Sequence, residues 1–396
     1  MKQRLLFISL LFFIHLISFS QTKISGIVRD KTTQQPLTGA SVFAPNTTNG
    51  GATDDKGYFS FTLFENQNEV IISYVGYESV LVPASSFTAT DKANVVYLSP
   101  VVNKLKEMVI KKITAKQREK YMEIFNREFI GLGKIAEKTK ILNPEVLQFD
   151  MNKENTLLIV SADAPIQLIN EKTGYTISYE LAYFESKVLT EEHNQKLTTF
   201  FGYPFFKDIV KDRKLDEKGV AKTRLKCYKG STMHFIRSLY NGTMENEGYS
   251  VTKFKRELNP DYPSQDSINK MIDDFRRNGK IPRIPVKHKI VYDKVNSKVH
   301  QLVFEREEKK YFYFSDYLSV TFRRAKEENK YTEYYHQAET DFQTSQLKLM
   351  EDTPIEIYAD GTYAEVDNLG SFGYMGWKKM GEMLPFDYQP EKIVAE

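Results

Sequence analysis

From Lys23 to Leu98 the apolar residues come in short alternating runs, each cut off by Gly, Pro, Asn or Asp. This pattern constrains the fold more than any other feature of the chain. The runs are Lys23 to Arg29, Ala40 to Phe43, Gly51 to Asp54, Tyr58 to Leu63, Val70 to Tyr74, Tyr77 to Val82 and Asn94 to Leu98. Each is too short for a helix that buries a stripe, and each has the period of a strand with one covered face. Strands this short and this closely spaced predict an antiparallel β-sandwich over residues 21–100. The fold class expected for the whole chain is mainly β to α+β.

The stretch TTNGGATDDKGYFSF, Thr47 to Phe61, raises the question of a calcium loop. With Asp54 at the first position, Lys56 and Tyr58 fall where oxygen ligands are required, so the calcium pattern fails. The same residues suit a tight turn. Asp54 and Asp55 can bond forward to their own backbone, and Gly57 tolerates a left-handed conformation. Tyr58, Ser60 and Thr62 then alternate with Phe59, Phe61 and Leu63, so Asp54, Asp55 and Gly57 are assigned a structural turn before a strand.

The segment GIVRDKTTQQPLTGASVFAPNTTNGGATDDKGYFSF followed by VIISYVGYES resembles the carboxypeptidase-regulatory-like domain, a transthyretin-like β-sandwich. Gly26, Asp30, Pro36, Gly39, Ala40, Val42, Thr53, Asp54, Gly57, Phe59, Ser73, Tyr74, Gly76 and Tyr77 carry the likeness. It implies a seven-stranded fold and an accessory module of peptidases, outer-membrane transporters and other envelope proteins. It implies no hydrolysis. The segments ILNPEVLQF, FFGYPFF, YKGSTMHFIRSLY and GYMGWKKMGEMLPFDYQP resemble the second half of envelope proteins containing this regulatory domain, a half with no established activity.

Residues 1–20 read as a signal peptide, with Lys2 and Arg4 before an apolar run from Leu5 to Ile17 and small residues at Ser18 and Ser20. Export is therefore expected, to the periplasm or outer membrane of a diderm bacterium, with Gln21 first in the mature chain and no integral membrane span after cleavage. Cys227 is the single cysteine, so no internal disulfide is expected and none stands at the cleavage point to take a lipid. Net charge is only +3 with 27% charged residues, which argues against a nucleic-acid footprint.

Residues 101–131 are a connector and an amphipathic helix, with Glu107 to Ile110 as a candidate edge strand. Tyr121, Met122, Phe125 and Phe129 form the helical stripe between a Thr114 cap and Gly131. Residues 132–396 are expected to form a larger β-rich domain with inserted helices. Its strands are placed at Leu157 to Val160, Ile166 to Ile169, Tyr175 to Phe184, Lys287 to Val291, Tyr317 to Phe322 and Ile355 to Tyr358, the last entering an Asp360-Gly361 turn. Helices are placed from Ser231 to Tyr240 and from Asp266 to Asn278, the second closed by Gly279.

Catalytic patterns fail on inspection. His336-Gln337-Ala338-Glu339 is the single His-x-x-Glu, and no histidine follows it to complete a zinc set. His234 lies seven residues after Cys227, and on a helix it turns away from that thiol. No catalytic residue, metal ligand or cofactor site is assigned. The aromatic excess is the remaining signal: Tyr311 to Phe314 alternate as core residues do, whereas Tyr331, Tyr334, Tyr335 and Trp377 are assigned a candidate binding surface. The sequence thus supports a non-enzymatic envelope protein that docks to another envelope protein. The alternatives are a glycan- or peptide-binding protein using exposed Tyr and Trp, and a hydrolase.

Overall fold

A computed structural model describes residues 22–64, 67–87, 94–101, 113–190, 195–279 and 283–390. The signal peptide assigned to residues 1–20 and the edge strand considered at Glu107 to Ile110 lie outside the described residues. The chain divides into two compact units that interleave in sequence. One holds residues 1–122, 140–169 and 174–214; the other holds residues 123–139, 170–173 and 215–396.

In the first unit the N-terminal strands are β1 (Thr22–Asp30), β2 (Ser41–Phe43), β3 (Gly50–Ala52), β4 (Tyr58–Leu63), β5 (Glu69–Ser73), β6 (Val80–Pro83) and β7 (Asn94–Leu98). They form two sheets, β4-β1-β7 and β3-β2-β5-β6. One pairing, β1 with β7, is parallel. Ile24, Val28, Val42, Phe59, Leu63, Val70, Ile72 and Leu98 fill the space between the sheets, which is the face the alternation marks.

The residues behind the family likeness have visible structural work. Asp30 accepts from the amides of Thr32 and Thr33 and from the Tyr77 hydroxyl at 2.5 Å, tying the end of β1 to the loop after β5. Buried Thr53 donates to the Leu37 carbonyl and accepts from the Ala40 amide. At the turn before β4, one Asp54 carboxylate oxygen accepts from the amides of Lys56 and Tyr58, at 2.9 and 2.8 Å. Gly57 has φ +73°, and a Cβ there would sit 2.5 Å from the Val28 carbonyl oxygen. Both the backbone conformation and the space require glycine.

The helix after the connector is α1 (Ala115–Phe125), capped by the Thr114 hydroxyl and continued as a π-helix over Asn126–Ile130. Beyond it the first unit adds β8 (Lys140–Ile141), β9 (Leu147–Met151), β10 (Leu157–Ala162), β11 (Ile166–Asn170), β12 (Tyr175–Thr190) and β13 (Gln195–Asp208). They form one sheet, β8-β11-β12-β10-β9, with β13 paired to β12 as a long hairpin. That hairpin also meets the sandwich: Asn46 donates to the Pro204 carbonyl, Phe206 to the Thr47 carbonyl, and Phe43 stacks on Phe205 at 4.9 Å.

The second unit contains α2 (Glu217–Tyr228), α3 (Thr232–Tyr240), β14 (Tyr249–Leu258), α4 (Gln265–Asn278), β15 (His288–Tyr292), β16 (Val303–Arg306), β17 (Lys309–Phe312), β18 (Tyr317–Phe322), α5 (Asn329–Tyr334), β19 (Gln343–Leu349), β20 (Ile355–Ile357), β21 (Leu369–Gly373) and α6 (Tyr374–Trp377). Its main sheet has the order β15-β14-β18-β19-β21, and a smaller one the order β16-β17-β20. Phe235, Ile236 and Leu239 of α3 pack into a core with Val251, Phe312, Leu318, Val320, Phe322 and Leu347. Ser231 caps α3 by accepting from the His234 amide, and Gly279 ends α4 in the left-handed conformation.

Candidate binding site

Helix α5 and the Tyr335 that caps its C-terminal end place Tyr331, Tyr334 and Tyr335 at i, i+3 and i+4, and the Tyr335 amide donates to the Tyr331 carbonyl, which keeps the three rings together. Trp377, at the end of α6, sits against all of them, with ring centroids 5.4 Å from Tyr331, 5.8 Å from Tyr334 and 6.2 Å from Tyr335. Tyr374 joins edge-on to Tyr331 at 5.2 Å, and Leu132 packs beside them. The four residues assigned from sequence are therefore brought together, but not equally exposed. Tyr331 and Trp377 are buried and form a floor, while Tyr334 and Tyr335 are 47% and 50% exposed. The two exposed rings stand perpendicular to each other at 5.0 Å, leaving an angular edge instead of a flat plate.

Beside this cluster lies a set of buried and half-buried charges. Glu328, the residue before α5, is buried; it accepts from Lys226 Nζ at 2.8 Å and from the Lys134 amide at 3.1 Å. Its own amide donates to the Tyr374 hydroxyl oxygen, so the helix start is bonded to the aromatic floor. Burial opposes charge on Lys226, but the hydrogen bond and the charge of Glu328 outweigh it and raise the pKa. Glu128 is held between Lys379 at 2.7 Å and Arg127 at 2.8 Å. Although burial works against its charge, these two cations lower its pKa.

Lys378, beside Trp377, donates to the carbonyls of Lys226, Cys227 and Lys229 at the C-terminal end of α2. Those carbonyls have no intrahelical partner and carry the negative end of the helix dipole. Glu382 is buried, and its Oε1 has no hydrogen-bond partner among the described residues. Burial raises its pKa, with Glu328 adding to the rise. Spacing alone could not have found this set, because its members come from α2, the segment before α5 and the chain after α6.

His234 is held by Gly230, Glu247 and Tyr249. The Gly230 amide donates to His234 Nδ1 at 3.1 Å, which fixes Nδ1 as the acceptor and places the ring proton on Nε2, facing Glu247 at 3.4 Å. The Tyr249 hydroxyl approaches the same Nδ1 at 2.9 Å. Burial pulls the histidine pKa down to about 4 against the opposing pull of Glu247. Cys227 is buried and its thiol pKa is pushed well up, chiefly by burial. Both imidazole nitrogens thus face groups other than the Cys227 thiol.

His336 is exposed, just past the end of α5. Among the described residues no group of three His, Cys, Asp or Glu side chains is placed to hold a metal ion. Phe312 and Phe314 are buried in the core while Tyr311 and Tyr313 are partly exposed.

Residues 24–110 match the family model of the CarboxypepD_reg-like domain, and that domain is the β-sandwich of the first unit with the segment that follows it. No curated protein matches the chain. A solved structure similar to this chain is that of a protein described as membrane-associated and of unknown function, from Bacteroides fragilis NCTC 9343. It shares 11% identity, covers 89% of this chain and 94% of its own, and has a TM-score of 0.17. Among the described residues no helix is long and apolar enough to cross a membrane.

Proposed function

We propose that this protein is a non-enzymatic, exported envelope protein that docks to another envelope protein through the Tyr334 and Tyr335 edge. The observation that carries this reading is the contrast within one cluster. Two tyrosines are left half exposed on top of a tryptophan and a tyrosine that are buried. Rigid aromatic side chains over a packed floor lose little conformational entropy on binding, which is how interface anchors are built.

The ring geometry favours a protein or peptide over a sugar. Stacking on a sugar ring uses a flat, accessible aromatic face, yet the Trp377 faces are covered and the two exposed rings stand at 84° to each other. An angular edge of this kind receives an aliphatic or prolyl side chain, and the two hydroxyl groups supply hydrogen bonds at its rim. The CarboxypepD_reg-like module supports the accessory role, and the basic and apolar character of residues 1–20 supports export.

Replacing Tyr334 or Tyr335 with a photo-crosslinking amino acid in cells of the native host tests this directly. The expected result is one discrete crosslinked protein, lost when the neighbouring tyrosine is changed to serine. Crosslinks that are absent, or that survive the second change, would remove the edge from the docking reading. Binding to a glycan array that depends on Tyr334 and Tyr335 would assign the same site to a sugar.

A further inference from the structure

The second unit carries an apolar and cationic surface over residues 283–298, none of which belongs to the aromatic cluster. Strand β15 forms one edge of the main sheet, and all five of its residues are exposed. It pairs with the end of β14, from Phe254 opposite Tyr292 to Leu258 opposite His288. Between residues 283 and 298 six large apolar side chains face water: Ile284, Val286, Ile290, Val291, Tyr292 and Val295, with Val286 and Val295 at 70% and 74% exposure.

These side chains are not on a loose end. Buried Asn259 donates from its side chain to the Val286 carbonyl and from its amide to the Lys287 carbonyl. The amides of Asp293 and Ser297 donate to the carbonyls of Lys253 and Val251, which fixes the other end. The backbone bonds thus hold apolar groups in water.

The charge of the same sixteen residues is one-sided. Arg283, Lys287, Lys289, Lys294 and Lys298 stand against Asp293 alone, a net +4 where the whole chain is +3. Lys289 and Lys298 have ion-pair partners in Asp261 and Glu245, at 3.3 and 3.8 Å, and these pairs are exposed. Lysines on an edge strand ordinarily keep it from pairing with other strands, and that role needs no exposed valine or isoleucine. Exposed apolar groups mixed with cations are instead the composition of a surface that enters a lipid headgroup layer. A second copy of the chain would bring the same positive charge and is disfavoured on that ground.

We propose that the β14–β15 ribbon with its flanks docks the protein on an anionic lipid bilayer. Val286, Ile290 and Val295 enter the headgroup region, and Arg283, Lys287 and Lys294 meet lipid phosphates. The amphipathic helix α4 stands between the two strands in sequence and also leaves apolar residues uncovered: Met271 and Phe275, one turn apart, are both exposed.

Sedimentation of the purified protein with vesicles tests the proposal. The expected result is binding to phosphatidylcholine vesicles carrying about one third phosphatidylglycerol, with little binding to phosphatidylcholine alone and loss at high salt. A variant with Arg283→Glu, Lys287→Glu and Lys294→Glu should bind the anionic vesicles at least about tenfold more weakly. Val286→Ser with Val295→Ser should weaken binding to both vesicle types without removing the salt dependence. All these positions are exposed, so circular dichroism and melting should match the wild type. Wild-type protein that fails to bind anionic vesicles, or a charge-reversed variant that binds them equally well, overturns the proposal. Capture by immobilised polyglutamate without vesicle binding would also overturn it, and would mark the ribbon as a site for an acidic protein.

Discussion

Lys226 Nζ lies 2.8 Å from the carboxylate of Glu328, and this ion pair sits at the start of the helix that carries Tyr331 and Tyr334 and is capped by Tyr335. The Glu328 side chain is 6% exposed and that of Lys226 55%, so solvent screens one end of the pair only. Lys226→Met should leave a buried carboxylate with one backbone partner and cost about 1–2 kcal/mol, below the full value for a buried pair because Lys226 is half in water. Lys326→Met, which removes the fully exposed pair with Asp341, should cost clearly less. Chemical denaturation measures both. Equal losses would show that the buried pair has no special part in holding α5.

The aromatic cluster should separate stability from binding. Trp377→Ala removes a buried ring packed by three tyrosines and should cost about 3–5 kcal/mol. Tyr334→Ala removes a ring that is 47% exposed and should cost under about 1.5 kcal/mol. If both variants melt alike, the division into a packed floor and an exposed edge is incorrect.

His234 gives the second unit a pH-dependent stability with a definite sign. Its pKa in the fold is about 4, below the ordinary 6.5, so between those values the unfolded chain binds the proton that the folded ring refuses. The stability that comes from keeping the ring neutral is complete above pH 6.5 and is lost as pH falls toward 4. The difference corresponds to on the order of 3 kcal/mol. His234→Asn keeps an acceptor near the Gly230 amide but does not titrate, so its melting temperature should fall less steeply than the wild type's over that window. Parallel slopes in the two proteins would place the acid sensitivity in other groups.

At the turn before β4 a glycine and an aspartate should differ in cost. Gly57→Val imposes a side chain on a left-handed backbone and drives its Cβ against the Val28 carbonyl, for roughly 2–4 kcal/mol. Asp54→Ala loses two amide bonds on an exposed carboxylate, for roughly 0.5–1.5 kcal/mol. Added calcium should move neither melting curve in the full-length protein. A calcium-dependent rise in the wild type that Asp54→Ala abolishes would make this turn a metal site.

The N-terminal strands, the turn at Asp54 to Gly57 and the helix after Ser231 are legible in the sequence, because in each the pattern is local. A period of two marks one covered face, an aspartate and a glycine define a turn, and a capping serine precedes an apolar stripe. Helix α2 escaped notice because Glu217–Tyr228 buries only Val220, Cys227 and Tyr228 and has a glycine in its first turn. Strand β13 escaped because Gly202 and Pro204 interrupt it, and both are tolerated there by a long hairpin partner and a bulge. The i, i+3, i+4 spacing of Tyr331, Tyr334 and Tyr335 is likewise legible without coordinates.

Which of those rings are floor and which are edge is set by contacts remote in sequence, with Trp377 and Tyr374 covering Tyr331. Tertiary contacts also bring together Glu328, Lys226, Lys378 and Glu382, which come from three separate segments of the chain. The physical reason is that hydrophobic periodicity reports one element's own burial, whereas the partner that pays the desolvation cost of a buried charge is chosen by contacts remote in sequence.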